Sequence, residues 1–150
     1  MMRRAACAAL LALALPAWAQ PLLLVSEEEV ARERAAAPSA IVARSAPQPG
    51  APTIKVLAPL LGNEPLGNPI RIELVFAAEP DAQIDPASFR AQYGALRIDL
   101  TNRIVARVTV ERTGLKVDNV VIPSGNHRLL LRIADTKART GEVELRFSVQ

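Results

Sequence analysis

The sequence predicts an all-β protein, an antiparallel β-sandwich of about seven to eight strands, and three observations predict it. Apolar and polar residues alternate with a period of two in "PIRIELVF", "IVARVTVE" and "EVELRFSV", as strands with one buried and one wet face require. Clusters rich in Gly, Pro, Asn and Asp separate these runs at short intervals: "LLGNEPLGNP", "EPDAQIDPAS", "ERTG", "PSGN" and "DTKARTG". No long helical pattern intervenes between them. Two half-wet sheets must then cover each other, which makes a sandwich the favoured arrangement.

The chain opens on "MMRRAACAALLALALPAWAQ", in which two arginines precede an apolar run from Ala5 to Leu15 and the small-residue triplet Ala17-Trp18-Ala19. This is the layout of a secretory signal peptide over residues 1–19, with cleavage after Ala19, and it places the mature protein in the periplasm or outside the cell. The run is about half of the roughly 20 residues that a spanning helix needs, and no other stretch is longer, so no transmembrane segment is expected after cleavage. Cys7 precedes most of the apolar run, whereas a lipid-modified cysteine follows it. Removing Arg3 and Arg4 takes the 18 basic residues to 16 against 15 acidic ones, a balance that gives no reason to invoke nucleic acid. Cys7 and Trp18 leave with the leader, so the mature chain has no disulfide framework and few aromatic rings.

Residues 20–52 read as a tail. An apolar knot, Leu22, Leu23, Leu24 and Val25, precedes Ser26, and Glu29 follows Ser26 by three, the spacing of a capping box. Glu27, Glu28 and Glu29 in a first turn and Arg32 and Arg34 in a last turn suit the helix dipole, which predicts a short helix from about Glu27 to Ala37. Its apolar stripe, centred on Val30, is thin. Pro38, Pro47, Pro49 and Pro52 then mark an extended, semi-rigid linker.

The sandwich is expected over residues 53–150. Its strands are Ile54–Ala58, Ile70–Phe76, Leu96–Leu100, Ile104–Glu111, Leu115–Val117, Val120–Ile122, Leu129–Ala134 and Glu142–Val149, and "IDPASF" is expected to form a helical turn capped by Asp85. The segments "IKVLAPLLGNEPLGNPIRIELVF", "AQIDPASFRAQYGALRIDLT" and "IPSGNHRLLLRIADTKARTGEVELRFSV" resemble a bacterial immunoglobulin-like domain of exported proteins, similar also to fibronectin type III modules in strand pattern. The cysteine pair and core tryptophan of antibody domains are missing. The resemblance implies a scaffold or binding module, and a fold of this kind does not fix a function.

The residues able to do chemistry are few. His127 is the only histidine, and Asp135 follows it by eight positions on the same strand parity, which places the two roughly 26 Å apart. They form no dyad; His127 is expected to cover the core edge and bond a loop carbonyl, and Asp135 to collect amides of the turn that follows. Ser124 lies near His127, but no nucleophile elbow presents it. One histidine without cysteine gives no zinc set. Asp81 and Asp85, four apart in one loop, are the calcium candidates. Along the strands, Arg71, Glu73, Arg107, Glu111, Arg132, Glu142, Glu144 and Arg146 alternate in sign, as a solvated sheet face or a polar protein-binding face would.

The expected function is a non-enzymatic protein-interaction or structural module without a cofactor, whose partner is an envelope protein or cell-surface component. Leu22, Leu23, Leu24, Val25 and Val30 are the expected partner-docking residues, unless the tail covers a sheet of its own domain. The alternative is a ligand-binding accessory domain that takes an envelope glycan or calcium through its loops.

Overall fold

The computed structural model describes residues 20–36 and 48–150. The expected signal peptide and most of the Pro-rich linker lie outside the described residues. The elements are β1 (Leu22–Leu23), α1 (Glu27–Ala35), β2 (Thr53–Ala58), β3 (Ile70–Ala77), β4 (Ile84–Tyr93), β5 (Ile98–Asp99), α2 (Thr101–Val105), β6 (Gly114–Val121), β7 (Gly125–Asp135) and β8 (Thr140–Val149). They build two four-stranded sheets, one ordered β1-β6-β3-β2 and the other β5-β4-β7-β8. All pairings are antiparallel except β1 with β6. No helix among the described residues is long and apolar enough to cross a membrane.

Period-two alternation decides which side chains meet between the sheets. Ile70, Ile72, Leu74 and Phe76 of β3 face Phe89, Ala91 and Tyr93 of β4 and Leu129, Leu131 and Ile133 of β7 in one core. Phe76 and Phe89 pack with ring centres 6.1 Å apart. The sandwich expected from the sequence is therefore present, and the hairpin of β7 and β8 runs in unbroken register from Gly125↔Val149 to Ala134↔Thr140.

Four local expectations are corrected. "IVARVTVE" is not a strand: Thr101–Val105 is helical and the chain then turns. Asp99 accepts the Thr101 amide at 2.8 Å and the Thr101 hydroxyl accepts the Ala91 amide at 3.0 Å, which starts a helical turn beside β4. Ile104 is buried and Val108 packs against the core, and residues four apart share a face in a helical turn as well as in a strand. "IDPASF" remains extended within β4: Asp85 does accept the Ala87 amide, but Pro86 to Phe89 bulge from the ladder. The Ser88 hydroxyl fills the gap, donating to the Asp85 carbonyl at 2.6 Å and accepting from the Ala134 amide at 2.7 Å. Finally, Leu115–Val117 and Val120–Ile122 are not separate strands; the first lies wholly in β6 and the second begins there, carried past a register shift by Asn119 at φ 56°. Of Leu96–Leu100, only Ile98–Asp99 is strand.

The N-terminal segment belongs to the same core. β1 adds to the edge of β6 with Leu22 opposite Val120, and the Leu24 amide donates to the Val121 carbonyl at 3.1 Å. α1 carries the full capping box, with the Ser26 hydroxyl accepting from the Glu29 amide and the Glu29 carboxylate accepting from the Ser26 amide. It is then clamped at three points. Arg103 donates to both Glu29 oxygens at 2.8 and 2.6 Å and to the Leu24 carbonyl at 2.8 Å. The Glu33 carboxylate accepts the amides of Ala95 and Leu96 in the β4–β5 turn. Arg34 donates to the Ser124 carbonyl at 3.1 Å.

Candidate functional site

The tail residues point inward. Leu24 and Val25 are fully buried, and Leu22 and Val30 are buried, so four of the five expected docking residues lie in the core of their own domain; only Leu23, 53 % exposed, faces solvent. The reason is the open edge of β6, whose unpaired backbone and adjacent apolar rim accept β1 and α1 more cheaply than water does.

His127 sits at the start of β7 with its ring between Tyr93 and Phe147, at centroid distances of 5.8 and 5.7 Å. Its Nε2 lies 2.7 Å from the Pro123 carbonyl, which can only accept, so the proton sits on Nε2. Nδ1 then accepts from the Tyr93 hydroxyl at 3.0 Å. Burial favours the neutral ring and holds its pKa below the usual histidine value, with the Arg34 charge adding to the effect against the Pro123 bond. Burial likewise raises the Tyr93 pKa. Both ring nitrogens are thus consumed by structure, and Ser124 offers its carbonyl to Arg34 rather than its hydroxyl to His127. The arrangement has no free base to activate a nucleophile.

Asp135 closes β7 as the sequence suggests. Its Oδ1 accepts the amides of Lys137 at 2.9 Å and Arg139 at 3.0 Å, and Oδ2 accepts from the Arg139 guanidinium at 2.7 Å. Burial opposes its charge, but these donors outweigh burial and hold its pKa low. Asp81 is engaged from the same hairpin by Lys137 and by Arg139, the latter at 2.9 Å, and these two hydrogen bonds lower its pKa to about 2. The calcium candidates are therefore not brought together as ligands: Asp81 is neutralised by two cations and Asp85 caps the β4 bulge. Among the described residues no group of three or more His, Cys, Asp or Glu side chains could hold a metal ion.

What the structure does assemble is a polar lattice on the outer face of the β5-β4-β7-β8 sheet. Register places Arg90 opposite Arg132, Gln92 opposite Leu130 and, across β7, Arg128 opposite Arg146, Leu130 opposite Glu144 and Arg132 opposite Glu142. Glu142 and Glu144 pair with Arg132 and Arg146, each at 2.5 Å. Four arginines thus share the face with two glutamates, around a central half-buried Leu130. Gln92 Oε1 and Arg132 Nε are shielded there without a hydrogen-bond partner among the described residues. Arg132, Glu142, Glu144 and Arg146 were visible in the sequence as alternating charges. Arg90 and Gln92 were hidden by the irregular start of β4, and the signal for Arg128 and Leu130 was the even spacing within "RLLLR".

No protein-family model matches the chain, and no curated protein or solved structure matches it.

Proposed function

We propose that the mature protein is an exported, non-enzymatic interaction module with an immunoglobulin-like fold, and that it docks an envelope protein through the outer face of the β5-β4-β7-β8 sheet. The strand order supports the fold reading. Counting from β2, the first, second and fifth strands form one sheet and the third, fourth, sixth and seventh the other. The constant-type immunoglobulin arrangement differs in the sheet that takes the fourth strand.

The observation that carries the functional reading is the lattice itself: an apolar Leu130 ringed by Arg90, Arg128, Arg132 and Arg146, with like charges set opposite each other across strands. Such pairs weaken a sheet, and arginine around a central apolar residue is the composition of a binding face. The inward tail and the fully bonded His127 support this choice of surface over the tail and the histidine. Crosslinked capture from the native envelope tests the reading, using the chain from Gln20, a Leu130→Glu form and a Leu23→Glu form with matched melting temperatures. Loss of the captured partner in Leu130→Glu alone is the expected result; equal capture by Leu130→Glu and the parent chain would overturn it.

A further inference from the structure

A cleft of about 430 Å³ opens at the end of this face where β7 begins and β8 finishes. Glu33 of α1 and Gly62 line it together with Asn126, Arg128, Arg146 and Ser148 and with the aromatic residues Tyr93, His127 and Phe147. The four polar strand residues form two cross-strand pairs, Asn126↔Ser148 and Arg128↔Arg146, whose even parity puts their side chains on the outer side of the sheet, and the odd-parity pair His127↔Phe147 lies between them. All four can donate hydrogen bonds. Arg146 gives its Nε to Glu144, which leaves its terminal amino groups, and no carboxylate among the described residues lies within ion-pair distance of Arg128. Arg34 brings a third guanidinium beside Gly125. The Glu33 charge, which also lines the cleft, is already tied to two backbone amides.

Donors and positive charge therefore line a concave space whose one lining carboxylate, Glu33, is already engaged. We propose that this cleft is an oxyanion subsite that takes the carboxylate side chain of an acidic peptide segment, a proposal that rests on the reading of the sheet face as a docking surface. Paired guanidinium groups match the planar carboxylate fork. Glu33 opposes a doubly charged phosphate more strongly than a singly charged carboxylate, which selects between the two anions.

The test is a titration of the chain from Gln20 with an acetylated tetraglutamate peptide and, separately, with inorganic phosphate, followed through the amide signals of Asn126, Arg128 and Arg146. The proposal expects shifts with the peptide, an affinity at least about tenfold lower in Arg128→Gln, and weaker binding of phosphate. An unchanged melting temperature certifies the fold of the variant. No shift, peptide affinity indifferent to Arg128→Gln, or phosphate binding as tightly as peptide would each overturn it. Envelope capture that depends on Leu130, together with a silent peptide titration, would sink the subsite and leave the docking face standing; the reverse pattern would sink the docking face alone.

Discussion

Glu29 is the residue on which the N-terminal segment turns. Its hydrogen bonds from Arg103, against the cost of burial, lower its pKa from 4.5 to about 2, with the Ser26 amide and the Arg103 charge helping. A folded pKa below the unfolded one gives stability that is fully present above pH 4.5 and is lost as the pH falls towards 2. Arg103 is 38 % exposed, so solvent screening reduces the contribution to about 1–2 kcal/mol. Glu29→Gln is expected to lose that amount in urea unfolding at pH 7 and to match the parent near pH 2. His127 acts in the same sense higher up the scale: burial depresses its pKa, so protonation of the unfolded chain below pH 6.5 draws stability away as acid is added. At Gly114, φ is 149° and a Cβ would collide with the Leu74 carbonyl oxygen across the ladder. Gly114→Ala is expected to cost more than about 2 kcal/mol in the same assay.

At the scale of elements, β1 and α1 behave as part of the sandwich. Leu24 is fully buried, and Leu24→Ala is expected to destabilise the protein by about 2–5 kcal/mol, a core-sized loss that an appended tail would not show. Removing residues 20–52 strips Leu22, Leu24, Val25 and Val30 from the core at once. At roughly 1.5–3 kcal/mol for each side chain, the loss is comparable with the whole stability of a small domain. A chain starting at Thr53 is expected to lack a cooperative thermal transition; one that melts like the parent would show that the segment adds little. The hairpin of β7 and β8 was the most legible element because "EVELRFSV" alternates without interruption and "DTKARTG" is its turn. β4 was the least legible, since Pro86 and the bulge bridged by Ser88 break the period that identifies a strand.

For the whole molecule, the sandwich was readable from alternation and turn spacing, and so were His127 bonding a loop carbonyl and Asp135 gathering turn amides, because both roles follow from strand parity and local spacing. The destination of Leu22 to Val30 was not readable. A capping box and an apolar knot describe a helix and its greasy neighbour but not the surface they cover, and that surface exists only once β6 has been placed at a sheet edge. The arginine lattice was half hidden for the same reason, since Arg90 and Arg132 become neighbours only through the pairing of β4 with β7. The N-terminal segment is spent on its own fold, and the docking role proposed for the outer sheet face rests on that. Native-state hydrogen exchange of the chain from Gln20 tests this most directly. The Leu24 amide, bonded to Val121, is expected to exchange with the same opening free energy as the core amides of Leu131 and Ile133. Exchange of Leu24 near the rate of an unprotected amide, with β7 still protected, would contradict the account and return Leu22 to Val30 to the role of a free docking segment.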